Sequence, residues 1–128
     1  MRKSALAALA AIALSACAGK QPGMMVEQGY QRGALGLAAI DRGDWAAAET
    51  RLGELRGIRS DDPARLINLG KVYAETGRVA DAVTVWRLAL ASERQFEVVT
   101  AQGRIVPTDQ LAREALARYQ PLLRTAAR

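Results

Sequence analysis

PARLINLGKVYAETGRVADAVTVWRLALASERQF, residues 63–96, carries the densest helical signal in the chain. Leu66, Leu69 and Tyr73 recur at steps of three and four, which sets them along one helix face. Asp62 stands just ahead as an N-cap, with Pro63 at the first helical position, where its missing N–H costs nothing. Gly77 ends that helix in a turn, and a second helix follows with Ala82, Trp86, Ala89 and Leu90 on its apolar side. The spacing predicts helices over about 63–76 and 79–94. Gly70 has no Cβ and lets the neighbouring helix approach, Ala82 is the small contact on that helix, and Trp86 and Leu90 fill the space between repeats.

The pattern repeats upstream. Leu35-Gly36 recurs as Leu69-Gly70, a shift of 34 that also relates Gly43 to Gly77, Ala46 to Ala80, Ala48 to Ala82 and Thr50 to Thr84. The first unit keeps the skeleton Leu35, Gly36, Ala39, Gly43, Trp45, Ala48, Leu52 and Leu55, with Asp44 as a further N-cap, and predicts helices over about 26–41 and 44–57. In order and spacing, Leu66, Leu69, Gly70, Tyr73, Gly77, Ala82, Trp86, Ala89 and Leu90 resemble a tetratricopeptide repeat. The resemblance implies two helical hairpins, 29–62 and 63–96 within a repeat region 26–96, wound as a right-handed α-solenoid. Ser60 and Arg94 stand where the family usually closes a repeat with proline, and Arg32 where it holds a bulky apolar residue.

Residues 97–128 leave that period. From Phe96 to Val106, β-branched residues flank Gln102-Gly103, and Pro107 stops the segment, which reads as a short β-hairpin insertion. It is read as a connection in preference to a contact site. Thr108 is placed to cap a helix over Asp109–Gln120, with Leu111, Ala115, Leu116 and Tyr119 as its apolar positions and Pro121 near its end. That C-terminal helix would cap the solenoid, so the fold class is all-α with one small hairpin.

The other end of the chain carries a different motif. Arg2-Lys3 precedes an apolar run from Ser4 to Leu14, too short to span a bilayer as a helix. Leu14-Ser15-Ala16-Cys17 follows and resembles the lipobox of bacterial lipoproteins. The resemblance implies a signal peptide over 1–16, cleavage before Cys17, diacylglycerol on the Cys17 thiol and an acyl chain on its freed amine. Two or three chains anchor stably where one does not. Residues 18–25, AGKQPGMM, complete a lipidated linker 17–25 with a reach of roughly 16 Å, holding the domain beside the membrane. Ala18 in place of aspartate favours the outer membrane, with the domain facing the periplasm.

Composition narrows the chemistry. Half the residues are hydrophobic, only 5% are aromatic, there is no histidine, and Cys17 is the single cysteine. Internal disulfides, Cys/His zinc sites and histidine-based triads are thereby excluded, and no metal or other cofactor beyond the lipid is expected. The net charge of +5 is spread among acids, as at Arg42/Asp44 and Glu54/Arg56, with no basic stripe for nucleic acid. Asp61 and Asp62 lie at the inter-repeat turn, where capping accounts for them without catalysis, so neither an enzyme nor a small-molecule substrate is expected.

The tetratricopeptide resemblance implies a groove for a protein segment along the first helix of each unit. Its positions here are Tyr30, Gly33, Leu37 and Ile40, then Ala64, Ile67, Asn68, Lys71 and Glu75. A carboxylate clamp is not expected, because Gly33 and Leu37 stand where its lysine and asparagine would. Together the two resemblances suggest an envelope scaffold or assembly factor, for example in pilus or secretion assembly or in outer-membrane assembly. A structural lipoprotein without a ligand and an activator of a cell-wall enzyme are the alternatives.

Overall fold

The computed structural model describes residues 29–127, so the leader, Cys17 and the whole of the linker lie outside the described residues. Seven elements follow in order: α1 (Leu37–Asp41), α2 (Trp45–Gly53), α3 (Pro63–Glu75), α4 (Val79–Leu90), β1 (Glu97–Val99), β2 (Ile105–Pro107) and α5 (Thr108–Ala126). The architecture is that of a tetratricopeptide-like all-α fold carrying one two-stranded antiparallel sheet. Among the described residues, no helix is long and apolar enough to cross a membrane.

The α3–α4 hairpin is built on one close contact. Trp86 lies over Gly70, where a Cβ would come 2.7 Å from the indole Cδ1 and nearer still to its nitrogen side. The indole is 3% exposed, and its N–H donates to the Ile67 carbonyl at 3.1 Å, so the buried polar edge is satisfied. Behind it, Ala82, Val83 and Leu116 close a core that joins α4 to α5, with the Trp86 and Tyr119 rings 5.1 Å apart. A second cluster of Ala39, Ala48, Leu52, Leu69 and Val72 joins the first hairpin to α3. The small residues expected at Ala48 and Ala82 are fully buried in these two cores.

Both aspartate caps form: the Asp44 carboxylate accepts from the Ala47 N–H at 3.1 Å, and that of Asp62 from the Arg65 N–H at 3.0 Å. Arg65 in turn donates from Nε to the Leu52 carbonyl at 2.8 Å and from Nη1 to that of Ser60 at 2.9 Å. It thereby closes the end of the first unit, where the family's proline is replaced by Ser60. The Glu49 carboxylate pairs with the Arg78 guanidinium, Nη1 to Oε1 3.1 Å, bracing α2 against the α3–α4 turn.

The boundaries depart from the sequence expectation at four places. The helix expected over 26–41 is helical only from Leu37; the described residues before it form turns, with Gly33 at φ 78° and Gly36 at φ 66°. Left-handed glycines at both Gly33 and Gly36 cannot belong to a right-handed helix. Leu35 and Gly36 nonetheless remain buried, Gly36 against the Ala48 backbone, so they keep their packing role on a turn. The second helix stops at Gly53 instead of 57, where Leu55 (φ 55°) and Gly57 (φ 76°) turn left-handed. The fourth stops at Leu90 instead of 94, because the Gln95 amide caps it, donating to the carbonyls of Ala89 (3.0 Å) and Ser92 (2.8 Å).

The last helix is longer than expected. It begins at Thr108 and continues through Pro121 to Ala126. Thr108 is not its cap: the side chain is fully buried, donating to Gln95 Oε1 and accepting from the Phe96 N–H at 3.3 Å, which fastens the hairpin's base. Proline removes one helical hydrogen bond, and packing of Leu123 against the α4–α5 core holds the helix beyond it. The hairpin pairs Glu97 with Pro107, Val98 with Val106 and Val99 with Ile105.

Gly70→Ala should destabilise the domain by about 1–3 kcal/mol through overpacking against Trp86. Gly53→Ala, with open space around its Cβ, should be neutral or stabilising by up to about 1 kcal/mol. Urea unfolding followed by far-UV circular dichroism measures both, and equal effects would refute the close contact as the source.

Candidate functional site

A groove of about 640 Å³ runs along the exposed side of α3. Its floor is Ala64, Ile67, Asn68 and Lys71, one helical stripe at steps of three and four. Leu37, Ile40, Asp41 and Trp45 form one wall. The other is made by β1 with the hairpin turn, from Val98 to Gln102, and by the face of α5 bearing Leu111, Ala115, Arg118 and Tyr119. The hairpin is therefore a wall of the groove, beyond its role as a connection.

Of the residues expected to face a partner, Leu37, Ile40, Ala64, Ile67, Asn68 and Lys71 converge here. Tyr30 and Glu75 do not. Tyr30 is drawn aside because its hydroxyl donates to both Asp62 carboxylate oxygens, at 3.2 and 3.0 Å, tethering the start of the described chain to the cap of α3. Glu75 lies one turn past the groove and pairs with Lys71, Nζ to Oε1 3.2 Å. Asn68 borders the groove but spends its amide internally: Nδ2 donates to the Leu35 carbonyl at 3.0 Å and holds the turn before α1. Gly33 lies in that same run of turns, outside the groove lining.

Sequence reasoning missed the second wall. Leu111, Ala115 and Tyr119 recur at steps of four, which marks an apolar helix face, yet that face also carries Arg118 and borders open space. The β-branched pair Val98-Val99 was the visible signal for the hairpin, though nothing in it shows which element the hairpin meets. Charges here are mixed. Arg104 bonds Glu114 at 3.1 Å, and the Gln110 amide, followed by Arg104, holds the Glu114 carboxyl below the usual range. Lys71 sits 5.9 Å from the Trp45 ring, and Arg118 lies over Tyr119 at 5.6 Å.

A second cleft, of about 710 Å³, opens between the inter-repeat turn and the end of α4, around Leu66, Leu88 and Asp61. Arg59 grips the Asp61 carboxylate in two bonds, 2.8 and 2.9 Å, and holds its pKa down. Asp62 is committed to the α3 cap and to Tyr30, so the two aspartates do not form an acid pair able to share a proton. Among the described residues, no group of three or more metal-ligating side chains comes together.

Burial, then the charge and hydrogen bond of Asp62, push the Tyr30 pKa above its ordinary value of 10.0. A folded state that favours the neutral phenol keeps this stabilisation below pH 10.0 and loses it as pH rises through the folded value. Tyr30→Phe should cost about 1 kcal/mol at neutral pH, and the wild type's advantage should shrink above pH 10.0. Urea titrations of both proteins along a pH series test this; a difference that stays constant into strong alkali refutes the bond to Asp62.

A family model described as Tetratricopeptide repeat matches residues 39–105, from α1 through the start of β2. No curated protein and no solved structure matches the chain. Tetratricopeptide repeats are generally non-catalytic modules of protein–protein interaction, which agrees with a groove between helices lined by both apolar and charged residues. The match takes in more than half of the 128 residues, including all of α2, α3, α4 and β1, and the chain belongs to the tetratricopeptide repeat family.

Proposed function

We propose that this protein is a lipid-anchored scaffold of the cell envelope that holds a protein partner in the α3 groove. The observation that carries the reading is the groove itself: a floor on α3 that sets Ala64 and Ile67 beside Asn68 and Lys71, walled on both sides by apolar and charged residues. Apolar floors with a few convergent polar groups are where protein segments dock. The anchor rests on Leu14-Ser15-Ala16-Cys17, whose thiol would carry diacylglycerol beside an N-acyl chain. Ala18 after the lipidated cysteine supports the outer membrane, with the domain facing the periplasm. The partner is then an envelope protein close to the lipid surface, in pilus or secretion assembly or in outer-membrane assembly.

The chemistry at hand supports binding over catalysis. Asp61 is locked by Arg59 and Asp62 by its cap, while the groove's Glu114 is engaged by Arg104 and Gln110. No positioned acid–base pair faces the groove among the described residues.

Two measurements test the proposal. Cys17→Ser should move the protein from the membrane fraction to the soluble fraction of cells; retention in the membrane would end the anchor claim. A photo-crosslinking residue at Leu37, inside the groove, should capture a discrete envelope protein, whereas one at Thr84, exposed on α4 outside the groove, should not. Equal capture at both positions, or none at either, would refute the groove as the partner surface.

A further inference from the structure

The hairpin offers more than a wall. In its antiparallel ladder the Thr108 N–H reaches the Phe96 carbonyl at 2.9 Å, and the Thr100 N–H the Arg104 carbonyl at 2.8 Å. Alternation then turns the backbone groups of Glu97 and Val99 outward from β1, and those of Ile105 and Pro107 outward from β2. The two edges are unequal. On β2, Pro107 has no N–H to offer, so that edge is blunted against pairing. On β1, the Glu97 and Val99 N–H and carbonyl groups find no hydrogen-bond partner among the described residues. β1 is also the strand that borders the groove: Val98 and Val99 line it, and no residue of β2 does.

We propose that the groove takes an extended, acidic segment of a partner protein, which adds to the outer edge of β1 as a third strand. The proposal rests on the reading of the groove as the partner surface and specifies its occupant. An extended segment satisfies the two outward backbone pairs that a helix, with its own N–H groups already bonded, would leave bare. Alternate side chains of such a segment point to one face, where Ile67, Leu111 and Tyr119 supply apolar surface. The acidic character follows from charge. Lys71, Arg104 and Arg118 line the groove against Asp41 and Glu114, and Arg118 has no carboxylate within salt-bridge distance among the described residues. A second copy of this chain is a poorer occupant, because a strand of three residues buries far less than a stable dimer needs, and β1 faces into a concavity.

The full chain in detergent micelles, labelled with 15N, is titrated with an acetylated octapeptide amide of alternating Glu and Val. Its counterpart with Lys for Glu, a version N-methylated on the pairing edge, and a stapled helix of the same composition serve as comparisons. The acidic strand should bind, slow hydrogen exchange at the Glu97 and Val99 amides, and lose affinity about ten-fold on N-methylation. Val99→Pro, which removes an outward N–H without touching the β1–β2 ladder, should weaken binding by a similar factor with unchanged circular dichroism. Should that variant misfold, the N-methylated peptide makes the same test from the partner's side. Arg118→Glu should shift preference toward the Lys peptide.

Tighter binding of the helix, binding without amide protection, or no binding by the acidic strand would each overturn strand addition. If crosslinking at Leu37 still captures a partner in those cases, the scaffold reading survives. If Leu37 captures nothing while the peptide binds as expected, it is the scaffold reading that fails.

Discussion

The contact of the Trp86 indole with Gly70 is the constraint on which the rest of the fold depends. A ring of that size can lie against a helix backbone only where a side chain is missing, and its N–H must reach an acceptor, here the Ile67 carbonyl. Both requirements together fix how α4 crosses α3. The far side of the ring meets Tyr119 and borders Leu116, so the seat of α5 follows from the same indole. Thr108, at the start of α5, then fastens the base of the hairpin, and Val106 is buried beneath it. A chain of contacts therefore runs from one glycine to the wall of the groove.

The first unit reaches a similar end by different means. Helix α1 has only five residues, too few to hold themselves by helical hydrogen bonds alone. Side chains of α3 and its N-cap do the holding: Asn68 bonds the Leu35 carbonyl, Asp62 receives the Tyr30 hydroxyl, and Arg65 spans to Leu52 and Ser60. The well-formed α3 thus acts as a template for the less regular segment before it. This division explains why several polar residues of α3 that could have faced a partner are engaged in intramolecular bonds, leaving Ile67 and Lys71 as its main offerings to the groove.

What was legible in the sequence tracks local interactions. The N-caps Asp44 and Asp62, Pro63 at the helix start, the turn at Gly77 and the small residues Gly70 and Ala82 all depend on residues close in the chain or joined by the repeat. They were readable from spacing. Spacing over-extends the first helix because glycine reads as a weak helix former at each site, whereas Gly33 and Gly36 both adopt left-handed angles that keep the helix from starting before Leu37. The last helix was cut short at Pro121 because its continuation depends on Leu123 reaching the α4–α5 core, a contact between distant residues.

The sequence by itself determined the helical hairpins, their period and the small residues that let them pack, since these follow from side-chain size and periodicity. Six of the positions it offers for a groove, Leu37, Ile40, Ala64, Ile67, Asn68 and Lys71, line the cleft along α3. Only the tertiary structure decided that Tyr30 is a tether, that Asn68 is turned to the Leu35 carbonyl, and that the hairpin and α5 form the groove's second wall. The physical reason is that these outcomes depend on which partner a polar group or strand edge finds across the fold. Periodicity records which face of an element is apolar, and leaves open what that face meets.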